Sequence, residues 1–173
     1  MSMRPARIYR DKPDKPYTRM SQKSENDNYI SGAPAPKISM FENGAKDKEF
    51  EDELHVQLHV EEGCAIRGNA LESARVAANS HLRKEVGEED YHLKIKVYPH
   101  HVLRYHPLAG VAQADRYYEG MRRPFGRPTG RAALVDEMQD IMVVRVPGDE
   151  REAAKKALDR AGNKIPVGFR VRV

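Results

Sequence analysis

Strict alternation of apolar and polar residues predicts the strands of this chain. Leu54–Val60 carries four aliphatic side chains on one face, and residues 91–98 repeat the pattern. His55 and His59 fall on the polar face of the first strand, where we expect solvated side chains rather than a metal pair. Shorter apolar runs predict further strands at 37–41, 101–105, 132–135, 141–146 and 164–173.

Two segments instead show the three-to-four-residue apolar spacing of a helix. The first is predicted to begin at Asn69, in a capping box with Glu72, and to end at Gly87. The second is predicted to begin at a capping Asp149 and to end at Gly162. Strands and helices do not alternate regularly, so the pattern predicts an α+β fold, a small two-layer sandwich of mostly antiparallel strands with two helices.

Two basic segments lie outside these periodic elements. Residues 1–23 hold seven cations against two acids, and their prolines prevent a regular helix. Residues 104–131 hold six arginines against two acids, with four glycines and three prolines. We therefore predict an extended basic N-terminal arm over 1–36, one domain over 37–173, and a functional loop over 105–130.

Composition excludes several classes of protein. A single cysteine, Cys64, excludes an intramolecular disulfide framework. No apolar run approaches ~18 residues, so we expect no transmembrane helix and no membrane partner. The first residues contain no hydrophobic signal core, so secretion is not expected. The formal net charge is only +4, so the location of the cations matters more than their total.

The chain offers weak candidates for catalysis. It contains no phosphate-cradling glycine motif and no dinucleotide fingerprint. The densest cluster of chemically active side chains would make a small metal-dependent hydrolase, and it comprises His100, His101, His106 and Asp115. Its spacing matches no ordered metal site, so we predict no enzyme, no metal and no cofactor, and keep the hydrolase as an alternative.

RNA binding fits the two basic segments better. Arginine guanidinium groups are forked donors for phosphate oxygens, and neighbouring aromatic rings offer flat apolar surface. One alternative without RNA is that the loop arginines pair with the acidic segment 42–62. A second alternative is a free-standing RNA-binding regulator, which would carry the same two basic segments. The predicted RNA contacts are Arg4, Arg7, Tyr9, Arg10, Lys15, Tyr17, Arg19, Arg75, Arg104, Arg116, Arg122, Arg123, Phe125, Arg127 and Arg131.

Short stretches spread along nearly the whole chain resemble one family. They include Arg-Pro-Ala-Arg-Ile-Tyr-Arg at 4–10, Pro-His-His-Val-Leu-Arg at 99–104 and Ala-Asp-Arg at 114–116. In this order they resemble the archaeal and eukaryotic L-ten-e ribosomal proteins, counterparts of bacterial L-sixteen, and the absence of a longer C-terminal extension favours an archaeal form. The resemblance implies a fold of the α/β-hammerhead type and a non-enzymatic protein of the cytoplasmic ribosome.

The resemblance also implies partners. Family members bind large-subunit ribosomal RNA beside the transfer-RNA corridor, contact neighbouring ribosomal proteins, and join the subunit late, with assembly factors. The loop tip approaches the peptidyl transferase centre, but residues 106–113 carry no cation here and Gln113 replaces a usual glycine. Residues 20–28 are not typical of the family and are assigned no role. The residues expected near transfer RNA are Tyr105, His106, Leu108, Gly110 and Gln113.

Overall fold

A computed structural model describes residues 6–18, 30–50, 52–106 and 125–173 of the chain. The strands are β1 (Glu42–Gly44), β2 (Leu54–Val60), β3 (Cys64–Arg67), β4 (His92–Ile95), β5 (His101–Tyr105), β6 (Arg127–Val135), β7 (Asp140–Val146) and β8 (Phe169–Arg172). The helices are α1 (Gly68–Glu85) and α2 (Arg151–Gly162). Neither helix in these ranges is long and apolar enough to cross a membrane.

The strands form two antiparallel sheets. The larger has the order β1-β4-β7-β2-β8, and the smaller has the order β3-β6-β5. The two helices pack against each other, and α2 also packs on β2. This arrangement confirms the predicted α+β class, with two helices on mostly antiparallel sheet.

The core lies between the helices and both sheets, because it includes residues of β3 and β6 as well as of β2, β4 and β7. Val56, Leu58 and Val60 of β2 and the apolar stripe of α1, which includes Leu71 and Leu82, are fully buried, and Leu54 at the start of β2 is partly buried. Each fully buried leucine contributes about 1.5–3 kcal/mol relative to an exposed one. Cys64 is also buried and unpaired, and burial raises the pKa of its thiol to about 11.

The predicted N-terminal helix caps are wrong, whereas Gly87, with a φ of +103°, follows the end of α1 and Gly162 ends α2 as predicted. Helix α1 begins at Gly68, without a side-chain cap, and the Glu72 carboxylate instead accepts hydrogen bonds from Ser39 at 2.9 Å and Arg75 at 2.7 Å. A charged partner three residues along the helix, Arg75, and a distant hydroxyl, Ser39, thus take the place of the capping box. Before α2, a 3-10 turn at Gly148–Glu150 takes up Asp149, and the helix begins two residues later, again without a side-chain cap.

Three strand predictions also need correction. The first strand lies at 42–44 rather than 37–41, because Ile38 packs into the core and Phe41 stacks on Tyr98 with ring centroids 5.6 Å apart. Strand β3 was missed because its first three residues are all buried and show no alternation. Strand β6 begins at Arg127, inside the predicted loop; proline is accommodated at position 128 where the pairing with β5 shifts register.

The predicted solvation of the strand histidines is half right. His55 is exposed, and its Nε2 lies 2.8 Å from the Glu53 carboxylate. His59 is 4% exposed, with its Nδ1 3.7 Å from Asp140. The register of β2 against β7 shifts between Leu58 and His59, and this irregularity breaks the simple alternation that assigned the side chain to solvent.

Candidate nucleic-acid interface

Arg104, at the end of β5, joins the basic arm to the base of the basic loop. Its Nη1 donates to the Tyr17 hydroxyl at 2.9 Å, and its Nη2 donates to the Gly126 carbonyl at 3.1 Å. The guanidinium lies 4.9 Å from the centre of the Tyr17 ring and 5.4 Å from that of Phe125. One arginine therefore ties together three segments that are distant in sequence.

The arm is attached to β5 through its backbone at Tyr17. The Tyr17 carbonyl accepts from the Val102 amide at 2.9 Å, and the Tyr17 amide donates to His101 Nδ1 at 2.9 Å. Burial, and then the nearby His100, lower the pKa of His101. Because Nδ1 must accept this hydrogen bond, the neutral ring is the form that holds the arm.

Gly126 allows the two ends of the loop to meet closely. Its φ is +67°, and a Cβ built at this position would lie 2.5 Å from the Tyr105 carbonyl carbon and 2.6 Å from the His106 nitrogen. Both the backbone conformation and the space select glycine. The ends of the loop are thus fixed, so the scaffold presents the intervening residues from a rigid base.

The junction exposes cationic and aromatic side chains. Phe125 is 76% exposed and keeps one face available beside Arg104, and Arg127 is also exposed. A cleft of about 470 Å³ borders the junction and is lined by Tyr17, Arg104 and Arg127, among others. Cations beside an exposed aromatic ring are a combination that binds phosphate and base together.

Other arm residues contact the body of the protein farther along. The Tyr9 ring lies under the Arg67 guanidinium, 5.1 Å from its centre. Arg10 Nε donates to the Pro166 carbonyl at 3.3 Å, and Lys12 pairs with Asp136. The described part of the arm is therefore laid against the small sheet and its neighbours, and residues 6–9 form a 3-10 turn rather than a fully extended chain.

The predicted RNA contacts have unequal surroundings. Arg7, Lys15 and Arg127 are exposed, whereas Arg131 is half-buried with Nη1 3.5 Å from the Tyr98 hydroxyl. Arg75 is 8% exposed. Its guanidinium donates to Glu72, Ser39 and Asn43, so the geometry favours a structural role for Arg75 over the predicted RNA contact.

Tyr105 and His106, two of the residues expected near transfer RNA, are half-buried at the loop base. Several other predicted residues lie outside the described ranges. The remainder of the predicted RNA and transfer-RNA contacts fall in 1–5, 19–29 or 107–124, namely Arg4, Arg19, Leu108, Gly110, Gln113, Arg116, Arg122 and Arg123.

The acidic segment 42–62 has other partners than the loop. In the described ranges Glu53 pairs with Arg145, Glu61 with Arg170, and Glu42 with two lysines. Lys94 and then Lys46 hold the pKa of Glu42 at about 2. The ion pairs of Glu53 and Glu61, and that of Glu42 with Lys94, join neighbouring strands of the larger sheet or the turns beside them. Among the described residues, Arg127 of the loop forms no ion pair with this segment.

The residues of the alternative hydrolase site serve other contacts. His101 accepts from the arm, and His100 Nδ1 lies 2.9 Å from the Tyr98 carbonyl oxygen. Asp115 lies outside the described ranges. Within those ranges, no group of three or more histidine, cysteine or carboxylate side chains is arranged to hold a metal ion.

Two cations near the arm were not predicted. Lys37 and Arg67 line a cleft shared with Tyr9 and Arg104. Arg67 ends an apolar run and Lys37 stands alone between prolines and isoleucine, so neither belongs to a charge cluster in the sequence. Their placement depends on how the arm folds back, which no local pattern shows.

Comparison with known proteins agrees with the fold and the basic surface. The family described as ribosomal protein L16p/L10e matches residues 13–172. A large ribosomal subunit protein uL16 from Staphylothermus marinus is 44% identical over 171 residues, covering 99% of this chain and 93% of the relative. The same protein from Archaeoglobus fulgidus is 42% identical, covering 100% and 94%, and that from Methanocella arvoryzae is 40% identical, covering 100% and 95%.

These matches run the length of the chain and are to archaeal ribosomal proteins. They support neither the hydrolase nor the free-standing regulator. The chain therefore belongs to the ribosomal protein L16p/L10e family, as a structural, non-enzymatic constituent of the large subunit of the cytoplasmic ribosome.

Proposed function

We propose that the protein holds large-subunit ribosomal RNA beside the transfer-RNA corridor and helps to position transfer RNA near the peptidyl transferase centre. The observation that carries this proposal is the junction at Arg104, where the arm at Tyr17 and the loop base at Phe125 meet in one exposed, cationic and aromatic surface. Two basic segments joined in this way offer RNA a continuous surface, which two independent tails would not.

The two halves of the loop take different roles in this proposal. Residues 114–131 carry five arginines, and they hold RNA through its phosphates. Residues 106–113 carry no cation, so they act on transfer RNA by steric contact. Leu108, Gly110 and Gln113 are the tip residues assigned to that contact.

We further propose the division into an arm over 1–36 and one domain over 37–173. The packed core contains residues of the second range and none from the described part of the first 18 residues. In this organisation the domain is the rigid support, and the arm adds RNA contacts. Late assembly factors are partners that recognise the protein as it joins the subunit.

Salt dependence tests the arginine contacts. Arg116→Ala and Arg122→Ala should each weaken binding to a large-subunit ribosomal RNA fragment, and should each lower the slope of log affinity against log salt by about 0.9 for a duplex contact. Arg151→Ala is the matched control, because Arg151 is exposed at the start of α2. Slopes that stay unchanged in both loop variants would remove these arginines from the RNA interface.

The location is tested separately. In a density map of the intact large subunit with bound transfer RNA, residues 105–114 should face the transfer-RNA corridor. A chain found elsewhere on the subunit would overturn the positioning role.

A further inference from the structure

A groove of about 900 Å³ separates the arm from the small sheet. Residues 8–13 of the arm form one wall, and β3, β5 and β6 supply the other. The volume lies within the ~300–1,000 Å³ that ligand sites occupy. Four cationic side chains line the groove against one carboxylate, Asp11, and they are Lys12, Lys37, Arg67 and Arg104.

Two of these four cations are already engaged within the protein. Lys12 pairs with Asp136, and Arg104 is bonded to Tyr17 and Gly126. Lys37 is exposed and Arg67 is half-buried, and among the described residues neither forms an ion pair with a carboxylate. The groove therefore holds two positive charges that the fold itself does not neutralise.

The position of Arg67 leaves its hydrogen-bond donors available. Its guanidinium carbon lies 5.1 Å from the centre of the Tyr9 ring, a cation–π distance that holds the group beside the arm. Among the described residues its guanidinium N–H groups donate no hydrogen bond and form no ion pair, so they remain available to an acceptor in the groove. An oriented guanidinium with free in-plane donors suits the two oxygens of a phosphate.

We propose that this groove binds the sugar–phosphate backbone of a single-stranded RNA segment, with Arg67 and Lys37 contacting phosphates. The inference rests on the proposed function and adds to it a second RNA site, apart from the loop arginines. The wall residues favour RNA over an acidic peptide, because Tyr9 and Tyr105 add flat rings beside the cations. Phosphates spaced along a strand, with bases able to lie on rings, match that combination.

The test uses the full chain and a fluorescein-labelled decauridylate, with binding measured by fluorescence anisotropy at several salt concentrations. Each phosphate contact to a single strand contributes about 0.7 to the slope of log affinity against log salt. Lys37→Gln and Arg67→Gln should therefore each reduce this slope by about 0.7, and the double variant should reduce it by about 1.4. Arg151→Gln removes one exposed charge at the start of α2 and should leave the slope unchanged.

Circular dichroism establishes that each variant is folded. If Arg67→Gln proves unfolded, the exposed Lys37→Gln decides the question. The inference is overturned if the folded variants show the same salt slope as the unchanged protein. It is also overturned if a decameric polyglutamate competes as well as unlabelled decauridylate, because the groove would then accept any polyanion.

Failure of this groove can be separated from failure of the proposed function. A chain that lies beside the transfer-RNA corridor in the subunit map, with unchanged decauridylate slopes, retains the function and loses the groove. A chain that lies elsewhere, with reduced slopes, loses the positioning role and retains the groove as an RNA site.

Discussion

Arg104 shows how a single side chain can organise a surface without lying in the core. It is exposed, yet it bonds to two segments and lies between two rings. Gly126 makes this possible, because its carbonyl accepts from Arg104 and its left-handed backbone brings it against Tyr105. The loop base thus depends on one long cation and on one residue without a side chain.

Gly126→Ala should therefore loosen the loop base. The left-handed conformation costs an alanine about 1–2 kcal/mol, and the added Cβ would lie 2.5 Å from the Tyr105 carbonyl carbon, so the backbone must move. We expect the midpoint of thermal unfolding to fall by about 2–8 °C at roughly 2–4 °C per kcal/mol, and the loop to be cleaved faster in limited proteolysis.

Gly130→Ala is the matched control for this change. Gly130 lies in β6, the strand that begins just after Gly126, and its added Cβ would meet nothing nearer than Leu103 Cδ1 at 3.9 Å. Gly130→Ala should leave the midpoint of thermal unfolding and the rate of loop proteolysis nearly unchanged. If the two alanine variants behave alike, close approach at Gly126 does not hold the loop base.

At the scale of elements, hydrogen bonds from a partly buried ion pair on α1 fasten the helix to β1 and to the segment before it. Arg75 Nη2 lies 2.7 Å from Glu72, and both side chains bond to Ser39, while Arg75 also donates to Asn43. Arg75, followed by Ser39, holds the pKa of Glu72 at about 2. Helix α1, which has no side-chain cap, is thus secured by tertiary contacts near its N-terminus.

Arg75→Ala should destabilise the fold by about 1–3 kcal/mol, because it leaves a partly buried carboxylate without its charged partner. The measurement is urea unfolding near pH 7. If Arg75 is structural, as its contacts indicate, the salt slope for ribosomal RNA stays unchanged in the folded variant. A reduced slope with unchanged stability would instead restore Arg75 to the RNA interface.

Arg83→Ala provides the control on the same helix. Arg83 is 65% exposed and pairs with the equally exposed Glu88. Exposed pairs contribute about 0–1 kcal/mol, so this variant should unfold almost as the unchanged protein does. If Arg83→Ala lowers the free energy of unfolding as much as Arg75→Ala does, the hydrogen-bond network of Arg75 stabilises the fold no more than an exposed ion pair.

Which elements the sequence could predict follows from how each buries its side chains. Helix α1 buries one face, and β2 alternates between buried and more exposed residues as far as Leu58, so periodicity revealed both. Strand β3 buries three consecutive residues, and β6 begins with arginine and proline, so neither carried a periodic signal. The capping box predicted for Asn69 and Glu72 also failed, because Arg75 and Ser39 donate to the Glu72 carboxylate instead.

The candidate site divides in the same way. Clusters of cations and prolines identified the arm and the loop from composition alone. Which cations of the arm are free is a property of the folded chain, since Lys12 pairs with Asp136 and Arg10 donates to the Pro166 carbonyl, both far along the chain. Long-range contacts of this kind leave no trace in local sequence.

At the scale of the whole molecule, charge is sorted between the two sheets. The described acids at 42, 53 and 61 pair with lysine and arginine on or beside the larger sheet. The smaller sheet carries the arm, the groove and the loop base, where Asp11 is the single carboxylate among the groove-lining residues. A chain of modest net charge thus presents one strongly cationic side, which is what an RNA-bound protein needs.

Three histidines link the stability of this arrangement to pH. Burial is the main cause of a lowered pKa at His81, His92 and His101. A nearby cation or imidazole lowers each pKa further: Arg160 for His81, Arg145 for His92 and His100 for His101. Each folded-state pKa lies below the ordinary 6.5, so the unfolded chain binds more protons in the acid range. Their contribution to stability is therefore present above pH 6.5 and declines as the pH falls below it.

The free energy of unfolding, measured with urea at constant salt, should accordingly be lower at pH 5.5 than at pH 7.5. His92→Gln should flatten this dependence, because a glutamine carbonyl can still accept the hydrogen bond that Arg145 Nε now donates to His92 Nδ1 at 3.0 Å, but does not titrate. His55→Gln, at an exposed position, leaves all three buried rings in place and should keep the dependence of the unchanged protein. Equal or greater stability at pH 5.5 would contradict the assignment, since it would mean that the three rings are not held neutral by the fold.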